Sequence, residues 1–155
     1  EKLLPVLAEL DVLLINDNEA RMLSGESNGM RAAEGVLKLG PKTVIVKYGE
    51  HGAAAYFSER SFGDGVKRRP FRTHTVPLGE VVDPTGAGDS FAGGFFGYTA
   101  SQGVLTPDVF RKAMFYGSVM GSFAVEDFGT ERLQRTTRAD VDERFNVLRE
   151  ISHLE

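Results

Sequence analysis

The chain has 155 residues, of which 41% are hydrophobic and 26% are charged, a balance typical of a globular domain with a sizeable core. Its formal net charge of −4 gives no electrostatic reason to expect a nucleic acid as partner. The sequence contains no cysteine, which excludes disulfides, thiolate metal sites and cysteine nucleophiles.

The lack of cysteine also fits a reducing compartment, and we expect a cytoplasmic protein. No apolar run approaches the roughly 20 residues that cross a bilayer, so we expect no membrane partner. The chain opens at Glu1 without Met and is at once in an apolar pattern, which suggests a piece of a larger protein.

The first part of the chain predicts strands that alternate with helices. Residues 1–10 are typical of the end of a helix, and two further helices are expected at 16–23 and 30–39. Three short apolar runs have the pattern of buried strands, at residues 11–15, 43–46 and 53–57. The order strand, helix, strand predicts an α/β fold with a parallel sheet flanked by helices.

The rest of the chain is predicted to be mostly helical after one irregular stretch. The polar and basic segment 58–79 suggests edge strands, and Val81-Val82 is expected to end a strand. Three helices are predicted beyond it, at residues 90–101, 106–126 and 137–151. No linker or internal repeat is visible, so we predict a single partial domain over residues 1–155.

The most informative stretch is DPTGAGDSFAGGF, at residues 83–95. It places a loop with two glycines, Gly86 and Gly88, between the expected strand and a helix. Such a loop directs unpaired backbone N–H groups and the positive end of a helix dipole toward one point. Glycine also lets the backbone approach a ligand closely. We therefore predict an anion site suited to phosphate or to the charge that develops during phosphoryl transfer.

Asp89 lies in the first turn of this helix, and the spacing leaves two interpretations open. The residue is either a helix-capping aspartate or a carboxylate beside the anion site that takes a proton from an attacking hydroxyl. Phosphoryl transfer needs positioning and charge stabilisation, which a carboxylate next to N–H donors provides. The small residues that follow are expected to let the helix pack tightly against a sheet; they are Ala92, Gly93, Gly94 and Gly97.

The stretch 83–95 resembles the second signature of the ribokinase-like, or PfkB, carbohydrate kinases. Two weaker markers occur in the order that the family requires. Asn16-Asp17-Asn18-Glu19 matches the N-x-x-E motif of the family, and residues 44–53 are similar to its nucleotide-binding strand and turn. The resemblance covers nearly the whole chain but only the C-terminal half of the family's length. It implies the C-terminal portion of a three-layer α/β/α domain, without the acceptor-binding half and the lid.

The resemblance also implies roles for single residues of the glycine-rich loop. Gly86, Ala87 and Gly88 would form the anion hole, and Asp89 would be the catalytic base. Some members of the family hold a monovalent cation such as K⁺ beside this loop. In this chain Asp83 and the Thr85 carbonyl would be its ligands, although Asp83 has the alternative role of fastening the turn.

Outside the loop, the resemblance implies ATP and Mg²⁺ as cofactors. Asn16 and Glu19 would organise the Mg²⁺ through its waters, since this ion usually keeps several of them. Lys47, Gly49 and Gly52 would border the nucleotide, together with Asn16 and Gly88. Lys47 departs from the family, because many members have Thr there. Gly117 departs as well, since it falls about where relatives place an Asn near the adenine.

The predicted function is therefore ATP-dependent phosphoryl transfer to a hydroxyl of a small molecule: a sugar, a sugar phosphate or a nucleoside. The alternative is a non-catalytic nucleotide-binding or regulatory module, because the acceptor-binding half is missing and this chain alone is expected to be slow or inactive. A purely structural protein would leave the glycine-rich turn unexplained. The helices at 106–126 and 137–151 offer a surface for a homodimer, and the sequence leaves that question open.

Overall fold

The computed structural model describes residues 3–152, which form two compact units. The first unit runs to Gly49 and resumes over Ala53–Arg72, and the second holds Glu50–Gly52 and the chain from Thr73 onward. No helix among the described residues is long and apolar enough to cross a membrane.

The first unit alternates helices with strands, as the apolar pattern predicts. The elements as far as residue 73 are, in chain order, α1 (Leu4–Leu7), β1 (Val12–Asn16), α2 (Asp17–Ser24), α3 (Gly29–Lys38), β2 (Thr43–Lys47), a 3₁₀ turn (Gly49–His51), β3 (Ala53–Phe57) and β4 (Phe71–Thr73). The strands form one sheet in the order β1-β2-β3-β4.

The sheet is mixed. β1 and β2 are parallel, in a register that runs from Val12 opposite Thr43 to Asn16 opposite Lys47. β3 pairs with β2 in the antiparallel sense, because the short connection between them cannot make the long crossover that a parallel pair needs. The predicted α/β class is confirmed, and the antiparallel β3 is an addition to the expected parallel sheet.

The core of the first unit lies between the sheet and the two helices α2 and α3. Helix α3 contributes one fully buried face, and the central strand β2 is buried over four successive residues. The buried residues of this core are Ile15, Ala20, Ala32, Ala33, Val36, Val44 and Val46. Burial on both faces explains why β2 is an unbroken apolar run in the sequence.

The described part of the second unit, up to residue 152, contains four α-helices: α4 (Ala87–Gln102), α5 (Pro107–Ala124), α6 (Glu131–Arg135) and α7 (Arg138–Ile151). Helix α4 packs along α5, where the rings of Phe95 and Phe110 meet edge to face at 4.9 Å. A second cluster, with Val76, Val119, Phe123 and Leu148, joins α5 to α7.

The predicted starts of two helices are confirmed. The Thr106 side chain accepts the Val109 N–H at the start of α5. At α7 the Thr137 hydroxyl accepts the Asp140 N–H, and the Asp140 carboxylate accepts the Thr137 N–H at 2.7 Å. This reciprocal capping box satisfies N–H groups that the first turn of a helix leaves unpaired.

Three details of the second unit differ from the prediction. Val81 and Val82 are exposed and belong to no strand, because the Val82 N–H bonds to the Val125 carbonyl at the end of α5 and not to a neighbouring strand. Helix α4 begins at Ala87, three residues before the expected start at 90. The short helix α6 was not predicted.

One of the small residues of α4 packs tightly, and its partner is helix α5. A Cβ atom on Gly94 would lie 2.5 Å from the Tyr116 carbonyl oxygen of α5, so this glycine is needed for helix–helix contact. Beyond the neighbouring backbone of α4 itself, Gly93 and Gly97 have no described atom within 4 Å of the same position. The expected packing of these residues against a sheet stays a prediction.

Candidate active site

The glycine-rich loop of the second unit is held by its own hydrogen bonds before α4 begins. The Asp83 carboxylate accepts the Thr85 N–H at 2.9 Å, and the Pro84 carbonyl accepts the Ala87 N–H at 3.3 Å. The hydrogen bonds from Thr85, chiefly from its backbone, hold the pKa of the Asp83 carboxyl below its usual range. Asp83 therefore fastens the turn, while the K⁺ site assigned to Asp83 and Thr85 stays a prediction.

Gly86 is the N-cap of α4 and has a left-handed backbone with φ of 81°. Glycine adopts this conformation without the strain that a side chain would add. Gly86 is exposed, and a Cβ atom there would have nothing within 4 Å. The N-cap of the 16-residue helix α4 therefore borders open space, and Gly86 and Gly88 bring backbone alone to the place predicted for an anion, with the small methyl of Ala87 between them.

Asp89 is exposed in the first turn of α4, at the third helical position. Because its N-cap is a glycine, no side chain caps this end of the helix. Within residues 3–152, no group forms a hydrogen bond or an ion pair with the Asp89 carboxylate. The carboxylate is thus available to another molecule.

Two other helices place an acid at the same third position and use it differently. In α2, the Glu19 carboxylate accepts the N–H of the N-cap residue Asn16 at 2.8 Å. In α7, the Asp140 carboxylate accepts the N–H of its N-cap Thr137. Both acids close capping boxes, whereas Asp89 closes none. This comparison favours the catalytic interpretation of Asp89 over the capping one.

In the first unit, the structure brings Asn16 and Lys47 together. They end the parallel strands β1 and β2 and face each other in the register of the sheet. Ligands of α/β proteins bind outside the carboxyl ends of parallel strands, which is where these two residues lie. Asn16 and Glu19 also bond to each other, since the Asn16 Oδ1 atom accepts the Glu19 N–H at 2.8 Å. The motif therefore has a structural role in starting α2.

The two glycines predicted to border a nucleotide differ in their surroundings. Gly49 is exposed, with φ of 58° and open space where a side chain would be. Gly52 is buried in the second unit, and a Cβ atom there would lie 2.0 Å from the Thr73 carbonyl oxygen. Close packing alone therefore requires glycine at 52, while Gly49 remains the one with space for a ligand.

Tyr48 follows Lys47 at the end of β2, and burial together with a hydrogen bond to Tyr56 raises its pKa to about 12. The Arg72 guanidinium lies 5.0 Å from the centre of the Tyr48 ring and opposes part of this rise. Because the folded state holds the phenolic proton more tightly, the stability linked to Tyr48 is complete below pH 10 and is lost as the pH rises through about 12.

We expect an ultraviolet titration of the tyrosines to show one phenol that ionises near pH 12. Tyr48→Phe should remove this late step. A late step that persists in Tyr48→Phe would assign the raised pKa to another residue.

Gly117 lies in α5 and has a packing role of its own. A Cβ atom at this position would be 2.9 Å from the Phe91 carbonyl oxygen and 3.0 Å from the Phe91 ring. The close approach of α4 to α5 therefore explains glycine here, where the family resemblance places an Asn. An Asn side chain at 117 would force the two helices apart.

In the part of the chain that the structure describes, no three His, Asp or Glu side chains come together as a metal site. The assignment of Mg²⁺ to Asn16 and Glu19 through water stays a prediction. Sequence reasoning missed the Val125 carbonyl, which accepts the N–H groups of Val82 at 2.8 Å and of Asp83 at 3.4 Å. A backbone acceptor that lies far along the chain leaves no signal in the sequence.

Several curated proteins are similar to this chain. The cytidine kinase of Thermococcus kodakarensis is 35% identical over 98 residues, which cover 63% of this chain and 32% of that protein. The nucleoside kinase of Methanothermobacter thermautotrophicus is 30% identical over 125 residues, which cover 78% of this chain and 33% of that protein. The chain therefore spans about a third of the length of these relatives.

Solved structures share the fold. An E. coli protein in complex with ATP and Mg²⁺ has a TM-score of 0.69 and 30% identity, and the match covers 96% of this chain and 42% of that one. The aminoimidazole riboside kinase of Salmonella enterica, solved with aminoimidazole riboside and an ATP analog, has a TM-score of 0.76 at 22% identity, over 92% of this chain and 44% of that one. This second likeness shows the fold alone.

The family model of the pfkB carbohydrate kinases matches residues 1–137, which are most of the chain. This match includes β1 and β2, the glycine-rich loop and helices α4 and α5. The chain therefore belongs to the pfkB family of carbohydrate kinases.

Proposed function

We propose that this chain is the nucleotide-binding and catalytic part of a kinase that transfers a phosphoryl group from ATP to a hydroxyl of a sugar, a sugar phosphate or a nucleoside. One observation carries the proposal. The exposed Asp89 carboxylate has no partner among the described residues, although it lies three residues beyond the N-cap of α4, where the acids of α2 and α7 close capping boxes.

The start of α4 fits a phosphate. The first N–H groups of an α-helix have no acceptor within the helix, and they carry the positive end of its dipole. Gly86 and Gly88 place no side chain in front of these groups, and the space around Gly86 is open. These donors would stabilise the anionic oxygens of ATP and the charge on the phosphoryl group during its transfer.

Asp89 is proposed to act as the general base. Its carboxylate takes the proton of the acceptor hydroxyl as that oxygen forms a bond to the γ-phosphorus. The bond from this phosphorus to the bridging β–γ oxygen breaks, and ADP leaves with the electron pair. An exposed carboxylate beside N–H donors serves this step because it can receive the proton while the donors stabilise the phosphoryl oxygens.

Asn16 and Glu19 are proposed to hold Mg²⁺ through water at the end of β1. Both side chains use one oxygen in the capping box, and the second Glu19 oxygen is left for a water of the ion. When bound, the Mg²⁺ neutralises charge on the phosphates. Lys47, opposite Asn16 in the sheet, is proposed to add positive charge toward a bound nucleotide.

The experiment uses the complete natural polypeptide that carries residues 1–155. Release of ADP is followed with Mg-ATP and a set of acceptors taken from the relatives: cytidine, adenosine, ribose and fructose 6-phosphate. Turnover that depends on one acceptor class supports the proposal and identifies the class. Calorimetry that shows Mg-ATP binding without turnover on any acceptor would favour the nucleotide-binding module instead.

A further inference from the structure

The C-terminal end of α5 lies against the beginning of the glycine-rich loop, within the second unit. The Val125 carbonyl, at the C-cap of α5, accepts the Val82 N–H at 2.8 Å and the Asp83 N–H at 3.4 Å. The Asp83 carboxylate in turn accepts the Thr85 N–H. The last turn of α5 therefore fixes where the loop starts.

Helix α5 also contacts the far side of the same loop. A Cβ atom on Gly121 would lie 3.2 Å from the Ala87 carbonyl oxygen, in the first turn of α4. Helix α5 is thus bonded to the loop at its Asp83 end and lies close to it at its Ala87 end. A movement of the last turn of α5 would move Gly86, Gly88 and Asp89 with it.

A charged cluster holds this last turn in place. The Glu126 carboxylate, one residue beyond Val125, bonds through one oxygen to Arg132 of α6 at 2.9 Å and through the other to Arg144 of α7 at 2.7 Å. The side chains of these three residues are only 18–24% exposed. Partial burial makes such a pair less screened than a surface ion pair, and removal of one partner leaves a poorly solvated charge.

Aromatic and hydroxyl contacts complete the cluster. The Arg144 guanidinium lies 3.7 Å from the centre of the Phe123 ring, and the Arg132 guanidinium lies 4.7 Å from it. Arg144 also donates to the Ser122 hydroxyl at 3.1 Å. Arg132 of α6 and Arg144 of α7 therefore contact, between them, three residues at and just beyond the end of α5: Ser122, Phe123 and Glu126.

We propose that Glu126, bonded to Arg132 and Arg144, is a positioning residue for the glycine-rich loop and acts through the Val125 carbonyl. The inference rests on the proposed function, because it assigns a catalytic consequence to the position of Asp89. When Arg144 is lost, Glu126 keeps one of its two partners and the last turn of α5 loosens. The loop then starts from a less fixed point, and small errors in the position of reacting groups lower the rate strongly.

The first test is hydrogen exchange on the 155-residue chain and needs no activity. Arg144→Met is expected to speed exchange of the Val82 amide, which bonds to Val125, while amides in the middle of α5 stay protected. The matched control is Arg138→Met, which removes an exposed ion pair with Asp142 of the same helix and a contact with Tyr116 in the middle of α5, but leaves the Glu126 cluster intact. Faster exchange throughout α5, or unchanged exchange at Val82, would show that the cluster does not act on the loop.

The second test is kinetic and uses the complete polypeptide. Arg144→Met and Glu126→Gln are each expected to lower kcat about tenfold, a fraction of the roughly hundredfold cost of a 1 Å misplacement, with the KM for ATP nearly unchanged. The double variant should lose little more than either single one, since both changes break one cluster. Arg144→Lys, which keeps the charge near Glu126, should recover part of the rate.

The two tests separate the inference from the proposed function. An Asp89→Asn enzyme with full turnover would refute the role of Asp89 as base, while the exchange result at Val82 would still report on the cluster. Conversely, wild-type kcat in Arg144→Met, alongside fast exchange at Val82, would refute the positioning role and leave the kinase proposal intact.

Discussion

Asp89→Asn is expected to lower kcat for phosphoryl transfer by about 10²–10⁴-fold, the usual contribution of a general base. This loss corresponds to about 3–5 kcal/mol of transition-state stabilisation. The amide keeps the size of the side chain but cannot take a proton from the acceptor hydroxyl. Affinity for Mg-ATP, measured by calorimetry, should stay close to that of the wild type, because the N–H donors of α4 belong to the backbone.

The control for this variant is Asp108→Asn. Asp108 is also an exposed acid in the first turn of a helix, α5, and it forms a surface ion pair with Arg111 at 3.2 Å. Its substitution should leave kcat unchanged, since exposed ion pairs contribute little. If Asp89→Asn turned over at the wild-type rate, or if both variants lost rate equally, Asp89 would not be the base.

The sequence alone leaves both interpretations of Asp89 open, because its place in the helix depends on where α4 begins. A start at residue 90 makes Asp89 the N-cap itself, the position where aspartate is most favoured. The structure starts the helix at Ala87, with Gly86 as N-cap, so Asp89 lies inside the first turn with no side chain to pair with. Glycine is a poor helix former, so Gly86 and Gly88 favour a predicted start that is later than the observed one.

The strands and most helices of the fold could be predicted because their signals are local. Buried runs such as 43–46 and capping residues such as Thr106 and Thr137 act within a few positions of the element they define. The prediction of a strand that ends at Val81-Val82 was wrong for the opposite reason. Two apolar β-branched residues suggest a strand, but a strand needs a neighbour, and the Val82 N–H is taken by the Val125 carbonyl.

The cluster around Glu126 could not be predicted for the same reason, because its contacts are not local in the sequence. Its partners come from α6 and α7, and the sequence contains no spacing that unites residues 126, 132 and 144. The glycine-rich loop, by contrast, is contiguous, so its residues could be found as a motif. The residues proposed to bind a ligand could be found from their motif, whereas those proposed to hold the loop in place became visible only when the helices packed.

Packing also determines how substitutions of the glycines of α4 change the stability of the chain. Gly94→Ala is expected to destabilise the chain by about 1–3 kcal/mol, the usual cost of overfilling a packed contact. The new methyl group would lie 2.5 Å from the Tyr116 carbonyl oxygen and 2.8 Å from the Met120 side chain. The backbone oxygen cannot turn aside as a side chain can, so α4 and α5 must separate. Urea unfolding at a constant m-value measures the loss.

Gly93→Ala is the matched control, one position earlier in the same helix. Beyond the neighbouring backbone of α4 itself, no described atom lies within 4 Å of the place where its Cβ would be, and Gly93 is exposed. Alanine favours a helix over glycine by about 1 kcal/mol, so this variant should be more stable than the wild type. The two neighbouring substitutions are thus expected to change stability in opposite directions. Equal effects would mean that helix propensity, and not the contact between α4 and α5, governs the glycines that follow Asp89.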